Sequence, residues 1–212
     1  MKVLAHRGYW REAREKNTLS AFERAWAGGH GIETDLRDMD GTIVVCHDLP
    51  NRGALPFTSL LQAHAAHGNA TPLALNIKAD GLQYIVAEAL KAYHVDDYFV
   101  FDMSVPDSLP YLRAGMPVFA RLSEYEPHTR LHDKAAGIWL DAFEADWWTL
   151  DLIRTLHAQK KKVAIVSPEL HGRRHEAVWQ MLRDQAPEIT MGLFLCTDFP
   201  DDAERFFTQY VA

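Results

Sequence analysis

Three features of the sequence predict a (β/α)8 barrel. Short apolar runs alternate with longer stretches of helical periodicity from one end of the chain to the other. Eight such strand-then-helix units fit into 212 residues, the compact end of the range for this barrel. Ionisable residues also gather where the first three strands end, and strand C-termini form the active face of such a barrel. Alternation of this kind argues for a parallel sheet covered by helices. A doubly wound open sheet is the structural alternative. It usually carries a glycine-rich phosphate loop after the first strand, whereas here that strand runs into His6-Arg7-Gly8-Tyr9.

The elements follow in order. Residues 3–6 read as a strand, and 18–27 as a helix with Leu19, Phe22 and Ala25/Trp26 at helical spacing, stopped by Gly28-Gly29. Residues 31–36 form the second strand, and Asp40-Gly41 is a hairpin signal leading into 42–46, an extension of the second unit. A short helix at 59–66, a strand at 73–78 and a helix at 82–93 come next. Then come a strand at 98–101, a short helix at 108–114, and strands at 118–122 and 137–140 with only weak helical character between them. The chain closes with a helix at 147–159, a strand at 162–166, a helix at 176–185, a strand at 192–196 and a helix at 202–210. No linker, repeat or low-complexity tract divides the sequence, so 1–212 reads as one domain.

Composition narrows the function. With 48% apolar and 24% charged residues the chain is an ordinary globular protein, which excludes disorder and fibres. A net charge of −7 argues against a nucleic-acid or anionic-membrane binder, which needs a basic face. No apolar run approaches the roughly 20 residues of a membrane span. Met1 to Ala5 meets His6-Arg7 before a signal-peptide core could form, and two cysteines, Cys46 and Cys196, make no disulfide framework. A cytoplasmic location is expected, with a small molecule as partner.

The chemistry is written at the strand ends. Glu33 and Asp35 are two apart on a strand and point to one face. Carboxylates that close repel, so either one is protonated or a cation sits between them. Hard oxygen ligands in a pair suit Mg²⁺ or Ca²⁺. His6-Arg7-Gly8 ends the first strand, His47-Asp48 follows the hairpin extension, and Asn76-Ile77-Lys78 ends the third strand. Taken singly, each has a plainer reading: a structural histidine, a solvated strand end, a surface lysine. Together they name a reaction class. His6 and His47 can serve as base and acid at neutral pH. Arg7 can grip phosphate with its planar fork and Lys78 as a point charge. Metal-assisted cleavage of a phosphodiester uses all of these parts.

These residues resemble the glycerophosphodiester phosphodiesterase family. The matching segments are His6-Arg7-Gly8, Asn17-Thr18-Leu19-Ser20-Ala21-Phe22, Glu33-Thr34-Asp35, Asp40-Gly41, His47-Asp48, Ile77-Lys78 and Thr197-Asp198-Phe199-Pro200-Asp201. They run in order over both ends of the chain and are weak between Asp80 and Lys161. The resemblance implies a TIM barrel, His6 and His47 as the acid/base pair, Glu33 and Asp35 as metal ligands, and Arg7 and Lys78 on the phosphate. It also implies attack by a neighbouring substrate hydroxyl, giving a cyclic phosphate that water opens as the histidines exchange roles. The substrate expected is a glycerophosphodiester-like or related small or lipid-derived diester.

The chain departs from the family pattern at three places. Asn76 stands where the family has its third metal carboxylate; its carbonyl can still ligate a hard cation, or Asp102, Asp141 or Glu169 could replace it. Lys16 stands where a glutamate precedes Asn-Thr, adding a cation near the mouth. Only residues 49–58 separate His47-Asp48 from the next helix, where typical members carry a long insertion. That brevity looks more like the sphingomyelinase D relatives and implies a more open site. Arg173 or Arg174 could read a second anionic group, and Trp139, Trp147 and Trp148 could stack on a ring. The rival reading, from a different class, is a barrel that keeps its phosphate contacts and has lost turnover; Asn76 and Lys16 favour it, and intact His6 and His47 oppose it.

Overall fold

The structure is a computed structural model and describes residues 1–185 and 190–208. Among the described residues ten strands form one sheet: β1 Lys2–His6, β2 Gly31–Met39, β3 Thr42–Val45, β4 Leu55–Pro56, β5 Leu73–Ile77, β6 Tyr98–Phe101, β7 Val118–Leu122, β8 Gly137–Leu140, β9 Lys162–Val166 and β10 Leu193–Thr197. Eight of them pair in parallel in the order β1, β2, β5, β6, β7, β8, β9, β10, and β10 pairs back to β1, closing the barrel. The antiparallel strands β3 and β4 extend β2 outward. Among the described residues the α-helices are α1 Leu19–Ala27, α2 Phe57–Ala66, α3 Gln83–Ala92, α4 Val105–Arg113, α5 Arg130–Lys134, α6 Leu150–Ala158, α7 Glu176–Arg183 and α8 Pro200–Thr208. The open doubly wound sheet is thereby excluded.

Side-chain alternation builds three apolar layers. Outward-facing residues such as Ile32, Leu36, Leu73, Leu75 and Val100 meet helices on one side of the barrel, and Ile138, Leu140, Val163 and Ile165 meet them on the other. Inward-facing Leu4, Ala74, Phe99, Phe101, Phe119, Trp139, Ala164, Val166 and Phe194 fill the interior. Phe99 stacks on Phe119 and Phe101 on Trp139, each pair with ring centroids 3.9 Å apart. Gly137 makes room for this layer, since a Cβ there would lie 2.5 Å from the Phe119 ring.

The expected strands at 98–101, 118–122, 137–140 and 162–166 coincide with β6 to β9. The second strand runs three residues beyond expectation because the hairpin keeps pairing as far as Met39 with Thr42. Its turn uses left-handed backbone at Asp40 and Gly41, the conformation an Asp-Gly hairpin demands. Helix α4 starts three residues early because the Ser104 hydroxyl accepts from the Asp107 N–H and caps it. Helix α6 starts three residues late: Thr149 caps it, while the Trp147 ring N–H donates to the Asp141 carbonyl. The two-residue β4 was not expected, being too short to show a period. The expected extension of the last helix to residue 210 lies outside the described residues.

Two expected outcomes follow from this packing. Phe99→Ala removes a ring from the interior layer and should lower unfolding free energy by about 3–5 kcal/mol, read as a drop in the urea midpoint. His64 is buried in α2, and burial holds its pKa below the ordinary 6.5. The unfolded chain therefore takes up the proton first as pH falls. Stability should hold above pH 6.5 and decline below it, and His64→Leu should remove that part of the slope in denaturation curves taken across pH 5–7.

Candidate active site

Seven of the eight barrel strands deliver an ionisable side chain at or just past their C-terminal ends. On β2, Ile32 and Leu36 pack outward against helices, so Glu33 and Asp35 turn inward. Parallel register sets His6 beside Glu33 and Asp35 beside Asn76. Asp102, Arg121, Asp141 and Asp198 stand at or just past the ends of β6, β7, β8 and β10. A cavity of about 250 Å³ opens between them. It is lined by His6, Arg7, Glu33, His47, Asn76 and Lys78 together with Asp102, Arg121, Asp141, His171 and the rings of Phe101, Trp139 and Phe143. Six of the seven expected site residues thus meet in one cavity, and the seventh, Asp35, lies fully buried against Arg7 and Lys78.

The buried acids set the electrostatics. Burial, and then repulsion from Asp35, push the Glu33 carboxyl up to about 8. Asp35 is met by two cations and one hydrogen-bond donor: Arg7 Nε lies 3.1 Å from Oδ2, Lys78 Nζ lies 3.7 Å from Oδ1, and the Asn17 amide donates to Oδ2 at 2.9 Å. Lys78 also pairs with Asp102 at 3.1 Å, and Asp102 with Arg121, whose guanidinium reaches Glu126 and, at 3.9 Å, Asp141. Burial pulls the Lys78 ammonium down while Asp35 and Glu33 pull it up, with burial the larger effect.

Local backbone geometry aims Arg7. Its φ is +57° and that of Gly8 +85°, so the chain turns sharply at the end of β1. A Cβ on Gly8 would meet Ala21 and Phe22 of α1 at 2.9 Å, so only glycine lets the turn lie on the helix. The Arg7 N–H donates to the Glu33 carbonyl at 2.9 Å, which fixes the turn to β2.

Three histidines face the cavity, and each ring has a carboxylate. His6 Nδ1 lies 2.7 Å from Asp198 Oδ1, leaving Nε2 3.9 Å from Glu33. Burial lowers the His6 pKa and Asp198 opposes that with a smaller upward pull. His47 Nδ1 lies 2.9 Å from Asp48, a pair standing at the more open side. His171 Nε2 lies 2.7 Å from Asp141 Oδ1. The roles of Asp198, Asn17, Arg121 and His171 were missed in the sequence. Asp198 and Asn17 stood inside recognised segments, but their contacts span 192 and 18 residues and have no local signature.

The oxygens suit a divalent cation. Among the described residues no group of three or more His, Cys, Asp or Glu could hold a metal ion. Counting the amide changes this: Glu33, Asp35 and Asn76 make a hard oxygen set, and Asp35 Oδ1 and Asn76 Oδ1 are both buried without a hydrogen-bond partner. The candidate replacements are otherwise engaged. Asp102 holds Lys78 and Arg121, Asp141 holds His171, and Glu169 accepts from the Ser167 and Thr197 hydroxyls and the Asp198 N–H, away from the cavity lining.

Other expected contacts fall elsewhere. Arg173 pairs with Asp146 and donates to the Ala142 carbonyl, and exposed Arg174 pairs with Glu176, so neither lines the cavity. Trp148 is buried behind α6 with Trp147 packed beside it, whereas Trp139 does line the cavity. Lys16 sits over the Trp10 ring at 4.4 Å and lines a groove of about 760 Å³ shared by Arg7 and His47. That groove lies along the short 49–58 connection, consistent with an open mouth there. A second groove of about 580 Å³ shares Asp102 and Arg121 with the cavity.

Comparison with known proteins adds the following. Residues 6–92 match the sequence model of the Glycerophosphoryl diester phosphodiesterase family. No curated protein matches the chain. Among solved structures, a glycerophosphodiester phosphodiesterase from Agrobacterium tumefaciens str. C58 is similar with a TM-score of 0.66 and 17% identity, covering 98% of each chain. A glycerophosphoryl diester phosphodiesterase from Parabacteroides distasonis ATCC 8503 is similar with a TM-score of 0.67 and 14% identity, covering all of this chain and 87% of that one. At those identities the structural likeness speaks for the barrel alone.

Proposed function

We propose that the chain, whose residues 6–92 match the model of the Glycerophosphoryl diester phosphodiesterase family, is a phosphoric diester hydrolase that cleaves a glycerol-type or related small or lipid-derived diester through a cyclic phosphate by a two-histidine, divalent-cation-assisted route. The observation that carries this reading is the convergence of His6 and His47 on the one cavity that also holds Glu33, Arg7, Asn76 and Lys78.

Asp198 takes the Nδ1–H of His6, which leaves Nε2 to accept a proton. Burial favours the neutral ring, so His6 is the base that takes the proton from the substrate hydroxyl beside the phosphodiester. That oxygen bonds to phosphorus as the bond to the departing alcohol breaks, and His47 protonates the alcohol oxygen. In the second step water attacks the cyclic phosphate, His47 takes its proton, and His6 returns the first proton to the ring oxygen. Arg7, held by Asp35 through Nε, keeps its terminal nitrogens for the phosphoryl oxygens, and Lys78 adds a point charge. Mg²⁺ or Ca²⁺ held by Glu33, Asp35 and Asn76 would stabilise charge on a phosphoryl oxygen. The unpaired cysteines, Cys46 and buried Cys196, suit a reducing cytoplasm.

Incubating a glycerol-type diester with the protein and Mg²⁺ or Ca²⁺ should give a cyclic phosphate and then a monoester by phosphorus NMR; a monoester formed with no cyclic species at any time would refute the cyclic route. His6→Gln and His47→Gln should each slow turnover by about 10²–10⁴ with an unchanged circular dichroism spectrum. EDTA should abolish turnover, with recovery on adding the cation. Asn76→Glu should lower the cation Kd measured by calorimetry, and Asn76→Ala should raise it.

A further inference from the structure

The proposed cycle leaves one imidazole unused. His171 ends the short 3₁₀ turn Pro168–His171 after β9, and Gly172, at φ +71°, bends the chain back there. The ring lines the cavity with Phe143 beside it, ring centroids 4.8 Å apart. Its Nε2–H faces Asp141 Oδ1 at 2.7 Å. Asp141 is buried at the end of β8, and the same oxygen accepts the Ala142 N–H at 3.0 Å. A carboxylate so fixed sets the ring's orientation and tautomer, leaving Nδ1 with a lone pair and no protein partner among the described residues. A cavity of about 250 Å³ has room for water beside a phosphodiester, water occupying about 30 Å³ in the liquid.

We propose that His171, held by Asp141, is a second base of this site that activates water directly, so that the protein also hydrolyses diesters lacking a neighbouring hydroxyl. This rests on the phosphodiesterase reading above and widens its substrate class. Water oxygen bonds to phosphorus as its proton passes to His171 Nδ1, and Asp141 balances the imidazolium charge. The bond to the departing alcohol breaks, and its electron pair stays on the alcohol oxygen, which leaves as a stable anion or takes a proton from His47. His171 then releases its proton to solvent.

Two substrates with one leaving group separate this route from the first: methyl p-nitrophenyl phosphate, with no neighbouring hydroxyl, and glyceryl p-nitrophenyl phosphate, which has one. The wild-type protein with Mg²⁺ should release p-nitrophenolate from both, and in ¹⁸O-water the methyl phosphate should carry one ¹⁸O. His171→Gln should slow the methyl ester by about 10² and the glyceryl ester at least tenfold less. Asp141→Asn should shift the two rates in the same unequal way, which covers the case in which the first variant does not fold. A wild-type protein that cleaves the glyceryl ester and leaves the methyl ester intact overturns the water route alone, as does an equal loss on both esters in the variants. Inertness toward both esters overturns the phosphodiesterase reading with it.

Discussion

Two carboxylates, Glu33 and Asp35, lie in the barrel interior almost out of reach of water, and the rest of the mouth is arranged around that burial. A buried acid must be protonated, paired or bound to a cation. Asp35 is paired by Arg7, Lys78 and Asn17; Glu33 has no such set and is pushed toward its neutral form. The charges then alternate around the rim. Lys78 leads to Asp102, Asp102 to Arg121, Arg121 to Asp141, and Asp141 to His171. Each member is placed by the one before it, so the groups facing a substrate do not need to be organised by the substrate. Pre-set dipoles and charges of this kind are what a reaction at a charged phosphoryl centre uses.

The barrel was largely legible because its signals are local. Strands β6 to β9 are short apolar runs bounded by breakers, and each could be read without knowing its neighbours. The inward pairing of Glu33 with Asp35, and of Asn76 with Lys78, followed from the two-residue period of a strand. What stayed hidden was contact at a distance. Asp198 carries no mark that says it will hold His6, and Arg121 reads as an ordinary polar residue on β7. Asp141 looked like a spare ligand because nothing in the sequence announces that His171 folds back onto it. The start of α6 was misplaced for the same reason, since Trp147 leaves the helical pattern to reach the Asp141 carbonyl.

The short connection after His47 has a visible counterpart. Where a long insertion would stand over the cavity, an open groove passes Arg7, His47 and Lys16. On the far side, beside the five-residue α5, a second groove reaches Asp102 and Arg121. The centre of the mouth is densely charged, and its two flanks are broad. On the proposed reading such a mouth fixes the phosphorus atom closely and leaves wide space on either side of it.

Closure of the barrel joins β1 to β10, and the same seam brings Asp198 to His6 across 192 residues of chain. A polypeptide that lacks the last strand already carries His6, Glu33, His47 and Lys78, yet it lacks the carboxylate that faces the first imidazole. On the proposed mechanism, orientation of the base therefore waits until the final strand has docked. On that reading a partly made chain, or one clipped before residue 193, is silent toward phosphodiesters rather than a poorly controlled version of the finished molecule.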